Sequence, residues 1–322
     1  MHLVNRDRCV YDWHDKYERH WLGFNSEPKT GSGIKAGNLS NGNFTPADYK
    51  LLANSQPANF SVLGSIYVET AAGTHSNKVS ECKWIISLAQ TDPQWIGLIA
   101  GIPIENGAEE TENFLDELRD PITKLLPTLL KGSRSLFWNF REFDAAPGKV
   151  FMEFLDKTCQ SAKFLAGLQV LKREGLIFEF AGSPGILEPA LEVVRANPGM
   201  NFVIEHCGFA FGGAHGFEYE TWKTDIGKIA ENRNVWVKMA DMEEWKCDVS
   251  TVRRVLKDTL NAFGSSRCLA ETNWMISCAH GLDFWRPIEL LKEEMEGLGW
   301  TQENQNKVFA LNAIELYQLD SS

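Results

Sequence analysis

A histidine placed directly after an apolar run is the first group in this sequence that could do chemistry. Residues 201–208 read Asn201-Phe-Val-Ile-Glu-His206-Cys-Gly208, and the three consecutive β-formers predict a short buried strand. The glycine-rich stretch that follows ends this strand, so we expect His206 at its carboxyl end, where parallel α/β folds build their sites. There the imidazole could relay a proton or donate to a developing oxyanion near neutral pH. The alternative is a histidine that is held by hydrogen bonds and has no catalytic role.

Three further residues could contact a substrate. Arg141 follows an apolar run, and its planar guanidinium suits a carboxylate bidentately, although it could equally pair with Glu142 or another acid at the rim. His215 lies in a glycine-rich loop that could close over a substrate, and a position on the free surface is the alternative. Trp274 could form part of the pocket wall or of the core.

Alternation along residues 267–274 places four side chains on one face of a predicted strand, namely Arg267, Leu269, Glu271 and Asn273. If this face points inward, Glu271 is buried one layer below Asn273, and its pKa is raised unless it is paired. Glu271 could then act as a base or a protonated donor, or it could be a structural partner of Lys238 or Arg141. Asn273 could orient water or a carbonyl through its amide.

The elements that must position these groups are strands alternating with helices. Strands are predicted over residues 60–69, 95–104, 133–140, 176–181, 235–239 and 267–272, and in the run before His206. Helices are predicted over about residues 46–55, 77–90, 109–118, 122–130, 187–196, 219–231, 249–262, 283–297 and 301–317, and a helical hairpin over about residues 148–174. Strands that are apolar on both faces and separated by helices imply a parallel sheet. No glycine-rich phosphate loop follows any strand, which disfavours a nucleotide-binding fold.

The expected fold is therefore α/β, a distorted (β/α)8 TIM barrel with an irregular amino-terminal segment. Seven predicted strands are one short of a closed barrel, and residues 1–4 or 9–13 would supply the eighth. Residues 1–44 are polar, aromatic and interrupted by glycine, and we expect them to wrap over the barrel of residues 45–322. Thr45-Pro-Ala-Asp48 predicts the start of the first helix.

Composition narrows the class of partner. A formal net charge of −11 and a pI near 5.2 argue against nucleic acid or an anionic membrane and leave a small anionic organic substrate, with a homo-oligomer as a further expectation. The sequence contains no run of about 18 apolar residues, so it predicts no membrane span. Seven cysteines without a CxxC pair indicate free thiols in a reducing compartment, so we expect a cytoplasmic protein.

Five stretches at predicted strand ends together resemble one family. They are Tyr67-Val-Glu69, Phe140-Arg141, Asn201-Phe-Val-Ile-Glu-His206-Cys-Gly208, Val237-Lys238 and Arg267-Cys-Leu-Ala-Glu-Thr-Asn-Trp274. In this order they resemble the amidohydrolase-related family, also called amidohydrolase 2, over roughly residues 45–320. The resemblance implies a distorted barrel and the activities of its members, which are mostly lactonases and related hydrolases, with some decarboxylases, acting on small carboxylated compounds.

Three departures from the family pattern bear on the site. Members usually begin with an Asp-x-His-x-His strand, whereas this sequence has no His-x-His, and the resemblance places His2 at the second histidine, with the first lost before Met1. The histidine often found on the fifth strand is absent. The aspartate of the eighth strand matches Asn273, in a sequence Glu271-Thr-Asn273 that is similar to the Glu-Ser-Asn of one branch.

These departures determine whether we expect a bound metal ion. A catalytic zinc needs about three protein ligands, normally histidine and carboxylate, and an open position. The candidates are His206, His2 and either Glu271 or Asn273, and a neutral amide is a poor ligand and no base. We therefore expect no metal or other cofactor, with a divalent metal such as zinc as the alternative.

The expected function is a hydrolase that cleaves a lactone, ester or amide bond in a small carboxylated molecule. His206 would assist the attack of water, and Arg141 would hold a substrate carboxylate. A metal-dependent decarboxylase of the same family is one alternative. A catalytically inactive barrel that serves as a binding or scaffold protein is the other, because it would explain the missing His-x-His and the Asp-to-Asn change.

Overall fold

A computed structural model describes residues 2–5, 8–9, 11, 44–55, 57, 60–119, 126–137, 158–182, 185–210, 219–240, 248–275, 277 and 283–320. Seven strands form one parallel sheet in strict chain order: β1 (Ser65–Val68), β2 (Trp95–Ala100), β3 (Leu130–Phe137), β4 (Ile177–Gly182), β5 (Phe202–Ile204), β6 (Val235–Met239) and β7 (Cys268–Ala270). All seven predicted strands are thus confirmed.

Helices follow the strands as the sequence predicts. They are α1 (Pro46–Ala53), α2 (His75–Ala89), α3 (Ala108–Leu118), α4 (Leu126–Leu129), α5 (Ala162–Arg173), α6 (Leu187–Ala196), α7 (Tyr219–Ala230), α8 (Val249–Phe263), α9 (Arg286–Gly297), α10 (Gln302–Asn306) and α11 (Asn312–Leu316). A π-helical stretch, Lys307–Leu311, joins the last two, so the single helix predicted over residues 301–317 is interrupted. Within the described residues, none of these helices is long and apolar enough to cross a membrane.

The two faces of the sheet differ in what covers them. The large core fills the space between the sheet and the outer helices, and it includes Phe178, Phe202 and Val235. The inner face carries a smaller apolar cluster, which α11, the closing helix, and the residue after it help to form. The cluster consists of Val68, Ile99, Ile177, Val203, Trp236, Leu269, Leu316 and Tyr317. Register places Arg134 beside Glu179 and Lys238 beside Leu269, so charged side chains share this inner face.

Local signals explain most element boundaries, and one prediction is corrected. The Thr45 and Asp48 side chains form the expected capping box at the start of α1. Strand β3 begins three residues earlier than predicted, because Gly132 continues the ladder instead of breaking it. A Cβ at Gly132 would lie 2.5 Å from the Ile177 carbonyl oxygen, so the close approach of β3 to β4 requires glycine.

The expected eighth strand is not formed as a parallel partner within the described part of the chain. Val4 instead makes an isolated antiparallel bridge with Phe44. The His2 N–H donates to the carbonyl oxygen of Trp274, 2.8 Å away and just beyond β7. Most of the segment expected to wrap the barrel, residues 12–43, lies outside the described residues.

Candidate active site

His206 lies where the sequence predicts it, two residues beyond the end of β5. It is 6% exposed, and each of its ring nitrogens faces a carboxylate. Nδ1 lies 2.9 Å from Glu271 Oε1, and Nε2 lies 3.3 Å from Glu205 Oε2. His206 is therefore the centre of a cluster formed by the carboxyl ends of β5 and β7.

The cluster has the composition of a cation site. The 2.9 Å contact between His206 Nδ1 and Glu271 Oε1 does not have the angles of a hydrogen bond. Glu205, His206 and Glu271 each offer one ligand atom, and these atoms all lie within 4.8 Å of one another. Imidazole nitrogen and carboxylate oxygen are the donors that zinc uses in catalytic sites.

Glu271 has a different neighbour from those that the sequence suggests. The sequence offers Lys238 or Arg141 as its partner, but Lys238 contacts two other carboxylates and Arg141 lies outside the described residues. The predicted common face also holds only in part. Arg267 does not join the inner face, because its guanidinium donates to backbone carbonyls at the amino end of β6, including that of Val235 at 2.9 Å.

Arg134 is a buried charge that the sequence analysis missed. Its Nε donates to Glu69 Oε1 at 2.8 Å, another nitrogen donates to the Glu69 carbonyl, and Glu205 Oε1 lies 4.0 Å away. Burial lowers the pKa of Arg134, but the charges of Glu69 and Glu205 outweigh it and raise that pKa above its ordinary value. Arg134 is thus a permanent cation beneath the His206 cluster.

Lys238 is the second buried cation, and it joins two acids. Its Nζ donates to Glu179 Oε2 at 2.6 Å and to Glu205 Oε1 at 2.9 Å, while the Tyr317 hydroxyl donates to Glu179 Oε1 at 2.6 Å. Burial raises the pKa of Glu205, but Lys238, His206 and Arg134 together hold it well below the usual range. Burial raises the pKa of Glu179 to about 8, against the pull of Lys238. The sequence signal for this network is a single charged residue in an otherwise apolar strand, which is Glu179 in β4 and Lys238 in β6.

His2 lies beside β1 and is 8% exposed. Its Nδ1 lies 2.9 Å from the Val68 carbonyl oxygen, and because a carbonyl can only accept, Nδ1 carries the proton. Burial and the charge of Arg134 hold the pKa of His2 well below its ordinary value. The ring is therefore neutral near pH 7, and its Nε2 keeps a lone pair.

Asn273 and Trp274 follow β7, and they differ in their surroundings. Asn273 is 3% exposed, with a left-handed φ of 44°. The Trp274 ring packs among aromatic side chains, with ring centroids 5.4 Å from Tyr49 and 6.1 Å from Phe44, which favours the core interpretation over the pocket wall. His215 lies outside the described residues.

Backbone strain accumulates at these strand ends. Four consecutive residues, His206, Cys207, Gly208 and Phe209, have φ between 52° and 67°, which makes a left-handed turn. A left-handed conformation costs about 1–2 kcal/mol for each residue other than glycine. Ala71, two residues beyond Glu69, is also left-handed, with φ 57°. Strain of this kind persists where surrounding contacts hold it, and it is typical of functional sites.

Solved structures of other proteins have a similar fold. An amidohydrolase from Burkholderia multivorans, solved with bound zinc, matches 99% of this chain and 97% of its own at 16% identity, with a TM-score of 0.69. Amidohydrolase 2 from Bifidobacterium longum subsp. infantis matches 99% of this chain and 96% of its own at 16% identity, with a TM-score of 0.60. A probable 2-pyrone-4,6-dicarboxylic acid hydrolase from Acinetobacter baumannii, with citric acid bound, matches 86% and 90% at 12% identity, with a TM-score of 0.59.

Sequence comparison places the chain in a family. The uncharacterized protein y4mH of Sinorhizobium fredii is 25% identical over 112 residues, which are 34% of this chain and 37% of that protein. The chain thus matches little more than a third of the length of this relative. The amidohydrolase family model, Amidohydro_2, matches residues 85–319, which include every strand from β2 to β7 and the whole His206 cluster. The chain belongs to the amidohydrolase family.

Proposed function

We propose that this protein is a hydrolase that cleaves a lactone, ester or amide bond in a small carboxylated molecule. The observation that carries the proposal is the cluster of His206, Glu205 and Glu271 at the carboxyl ends of β5 and β7. Glu271 would take a proton from water, and the imidazole beside it would pass that proton to a leaving group. Glu205, which Lys238 and Arg134 keep ionised, would hold the other side of the ring. The similar protein from Acinetobacter is a probable hydrolase of a dicarboxylic acid, which supports the choice of a carboxylated compound.

We also propose that the site holds a divalent cation, contrary to the expectation from sequence. Four carboxyl groups, those of Glu69, Glu179, Glu205 and Glu271, share the interior with two fixed cations, Arg134 and Lys238. Even with a proton on Glu179, three carboxylates remain beside two cationic side chains. Because negative groups outnumber positive ones, this interior attracts a further positive charge.

The residues present fit such an ion. His206, Glu205 and Glu271 would hold it. His2 lies outside this group of three, and the lone pair on its Nε2 makes it a further candidate only if the ring and the cluster move closer together. The bond from His2 Nδ1 to the Val68 carbonyl is the kind that fixes the tautomer of a metal-ligating histidine. A divalent ion bound there would polarise the scissile carbonyl and make water more acidic.

The chain's own residues would do the remaining work. We propose that Arg141 binds the substrate carboxylate, that Asn273 orients the attacked carbonyl through its amide, and that His215 closes over the bound substrate. We further propose that residues 2–4 take the place of the eighth barrel strand. Contacts of His2 with both Trp274, just beyond β7, and Val68 of β1 support this closure.

The test is a substrate screen with matched variants. Lactones, esters and amides that carry a carboxylate are offered to the native protein and to His206→Ala, Glu271→Gln and His75→Ala. His75 is a suitable control because it pairs with Glu117 at 2.9 Å, away from the strand ends. We expect turnover to fall about 10²–10⁴-fold in the first two variants and to be unchanged in the third.

The outcomes separate the alternatives. Turnover unaffected by His206→Ala would overturn the proposed mechanism. Release of CO2 from a carboxylated aromatic compound would identify a metal-dependent decarboxylase that uses the same donors. Binding of carboxylated compounds without turnover by any preparation would identify an inactive binding barrel. Metal analysis of the purified protein should give about one equivalent of a divalent ion, lost in Glu271→Gln, and its absence in every preparation would overturn the cation proposal.

A further inference from the structure

Trp222 contacts the backbone of the left-handed turn that carries His206. It lies on α7 and is 1% exposed, and its indole Nε1–H donates to the Cys207 carbonyl at 2.9 Å. A bond from a side chain on another element ties this turn to the outer layer of the fold. Because the turn is strained at three residues other than glycine, contacts of this kind must hold it.

Two other contacts also support the turn. The Gly208 N–H donates to the Glu205 carbonyl at 2.9 Å, and the Cys207 Sγ lies 3.8 Å from Met239 Sδ on β6. The thioether and thiol are weak partners, whereas the indole N–H is a full donor. Trp222 therefore gives the turn a stronger hydrogen bond than the contact between Cys207 and Met239 does.

The turn sets the direction of the His206 ring. Because His206 is itself left-handed, its side chain leaves the backbone in a direction that a right-handed turn would not give. In this direction the ring lies between Glu205 and Glu271. Relaxation of the turn would move the ring out of the cluster.

We propose that Trp222 is a positioning residue for His206, and that its indole bond to the Cys207 carbonyl keeps the turn left-handed. This inference rests on the proposed function only for its effect on turnover. The backbone effect stands independently of any substrate.

The first test is Trp222→Phe, which keeps an aromatic ring and removes the N–H donor. We expect kcat to fall by about 10²-fold with little change in KM, as misplacement of a reacting group by about 1 Å does. We also expect faster hydrogen exchange of the Gly208 amide. Trp95→Phe, at the amino end of β2, removes the same atoms far from the turn and should change neither quantity.

The second test distinguishes a held turn from simple packing. Glycine adopts the left-handed conformation without strain, whereas alanine does not. Cys207→Gly and Cys207→Ala both remove the thiol, so they differ chiefly in this strain. Added to Trp222→Phe, Cys207→Gly should restore kcat and slow the exchange of Gly208, whereas Cys207→Ala should restore neither.

Several results would overturn the proposal. One is a Trp222→Phe variant in which both kcat and the hydrogen exchange of the Gly208 amide are native. The others are recovery of kcat with both substitutions of Cys207, and recovery with neither. If Trp222→Phe alone does not fold, the substitution is made in the Cys207→Gly and Cys207→Ala variants, and the loss of stability that it causes in each is measured. An equal loss in both variants overturns the proposal. If His206→Ala has no effect on turnover, the proposed function fails, while the exchange measurements still decide the role of Trp222.

Discussion

Lys238 Nζ on β6 donates to Glu205 Oε1, just beyond β5, at 2.9 Å, and both side chains are almost fully buried. The same ammonium group also bonds Glu179, so one cation is shared by two buried carboxyl groups. A buried acid that loses its partner is costly, because its charge is no longer offset by water or by a counter-ion.

We predict that Lys238→Met destabilises the protein strongly. The substitution leaves Glu179 and Glu205 without their shared counter-ion, and removal of one partner of a buried pair costs about 3–5 kcal/mol. The measurement is the free energy of unfolding in urea. Lys228→Met is the control, because the Lys228 side chain is 51% exposed and pairs with Asp225 one turn earlier on the same helix, so its removal should change little. Equal stability of the two variants would show that the buried network is not essential to the fold.

Glu81 gives a prediction with a definite pH dependence. This carboxyl is 1% exposed, accepts a 2.6 Å hydrogen bond from the Thr70 hydroxyl, and its Oε2 has no hydrogen-bond partner among the described residues. Burial, followed by the charge of Glu69, raises the pKa of Glu81 to about 7. The folded state therefore binds the proton more tightly than the unfolded state does, and the contribution of Glu81 to stability falls as pH rises from about 4.5 to about 7.

We predict that Glu81→Gln removes this loss. The amide keeps an oxygen for Thr70 and cannot ionise, so the variant should be more stable than the native protein by about 3 kcal/mol at about pH 8. At about pH 4.5 and below, the difference should be small. Urea unfolding at several pH values measures both quantities. Glu231→Gln makes the same chemical change at an exposed position, and a similar pH-dependent gain in that variant would contradict the explanation.

Two glycines with nearly equal φ test the left-handed turn. Gly208 has φ 67° and Gly175, just beyond the end of α5, has φ 70°, but a Cβ at Gly208 would lie 2.9 Å from Leu187 Cδ2, whereas one at Gly175 has no atom within 4 Å. Gly175→Ala should therefore cost about 1–2 kcal/mol for the backbone alone. Gly208→Ala should cost more, because the Leu187 side chain must also move, and it should lower turnover. Equal costs in thermal unfolding would mean that the packing of Leu187 on the turn adds nothing.

The sequence was sufficient for the order of the elements and for two members of the cluster, His206 and Glu271. Each strand is a short apolar run between helical patterns, so its existence depends on local residues that the sequence displays. His206 was found for the same reason, because the end of an apolar run marks the end of a strand. The start of β3 was wrong, because only the neighbouring strand shows that Gly132 extends the ladder.

The pairing of the charged residues around His206 could not be predicted in the same way. Arg134 and Glu69 are 65 residues apart in sequence, and Lys238 and Glu179 are 59 apart, so their pairing depends on strand register. Register follows from the packing of whole strands and not from the residues that pair. For the same reason, the sequence suggested Lys238 as a partner of Glu271, whereas the fold gives Lys238 to Glu179 and Glu205.

The hydrogen bond from Tyr317 to Glu179 also bears on when the protein can fold during its synthesis. The ribosome makes β4 long before it makes the closing helix, yet a carboxyl group on β4 is satisfied by a hydroxyl near residue 320. Until that helix has left the exit tunnel, the inner face of the sheet lacks Leu316 and Tyr317, and Glu179 lacks one of its two donors. The interior that holds the charged residues is therefore completed only after residues 312–317 have emerged from the ribosome.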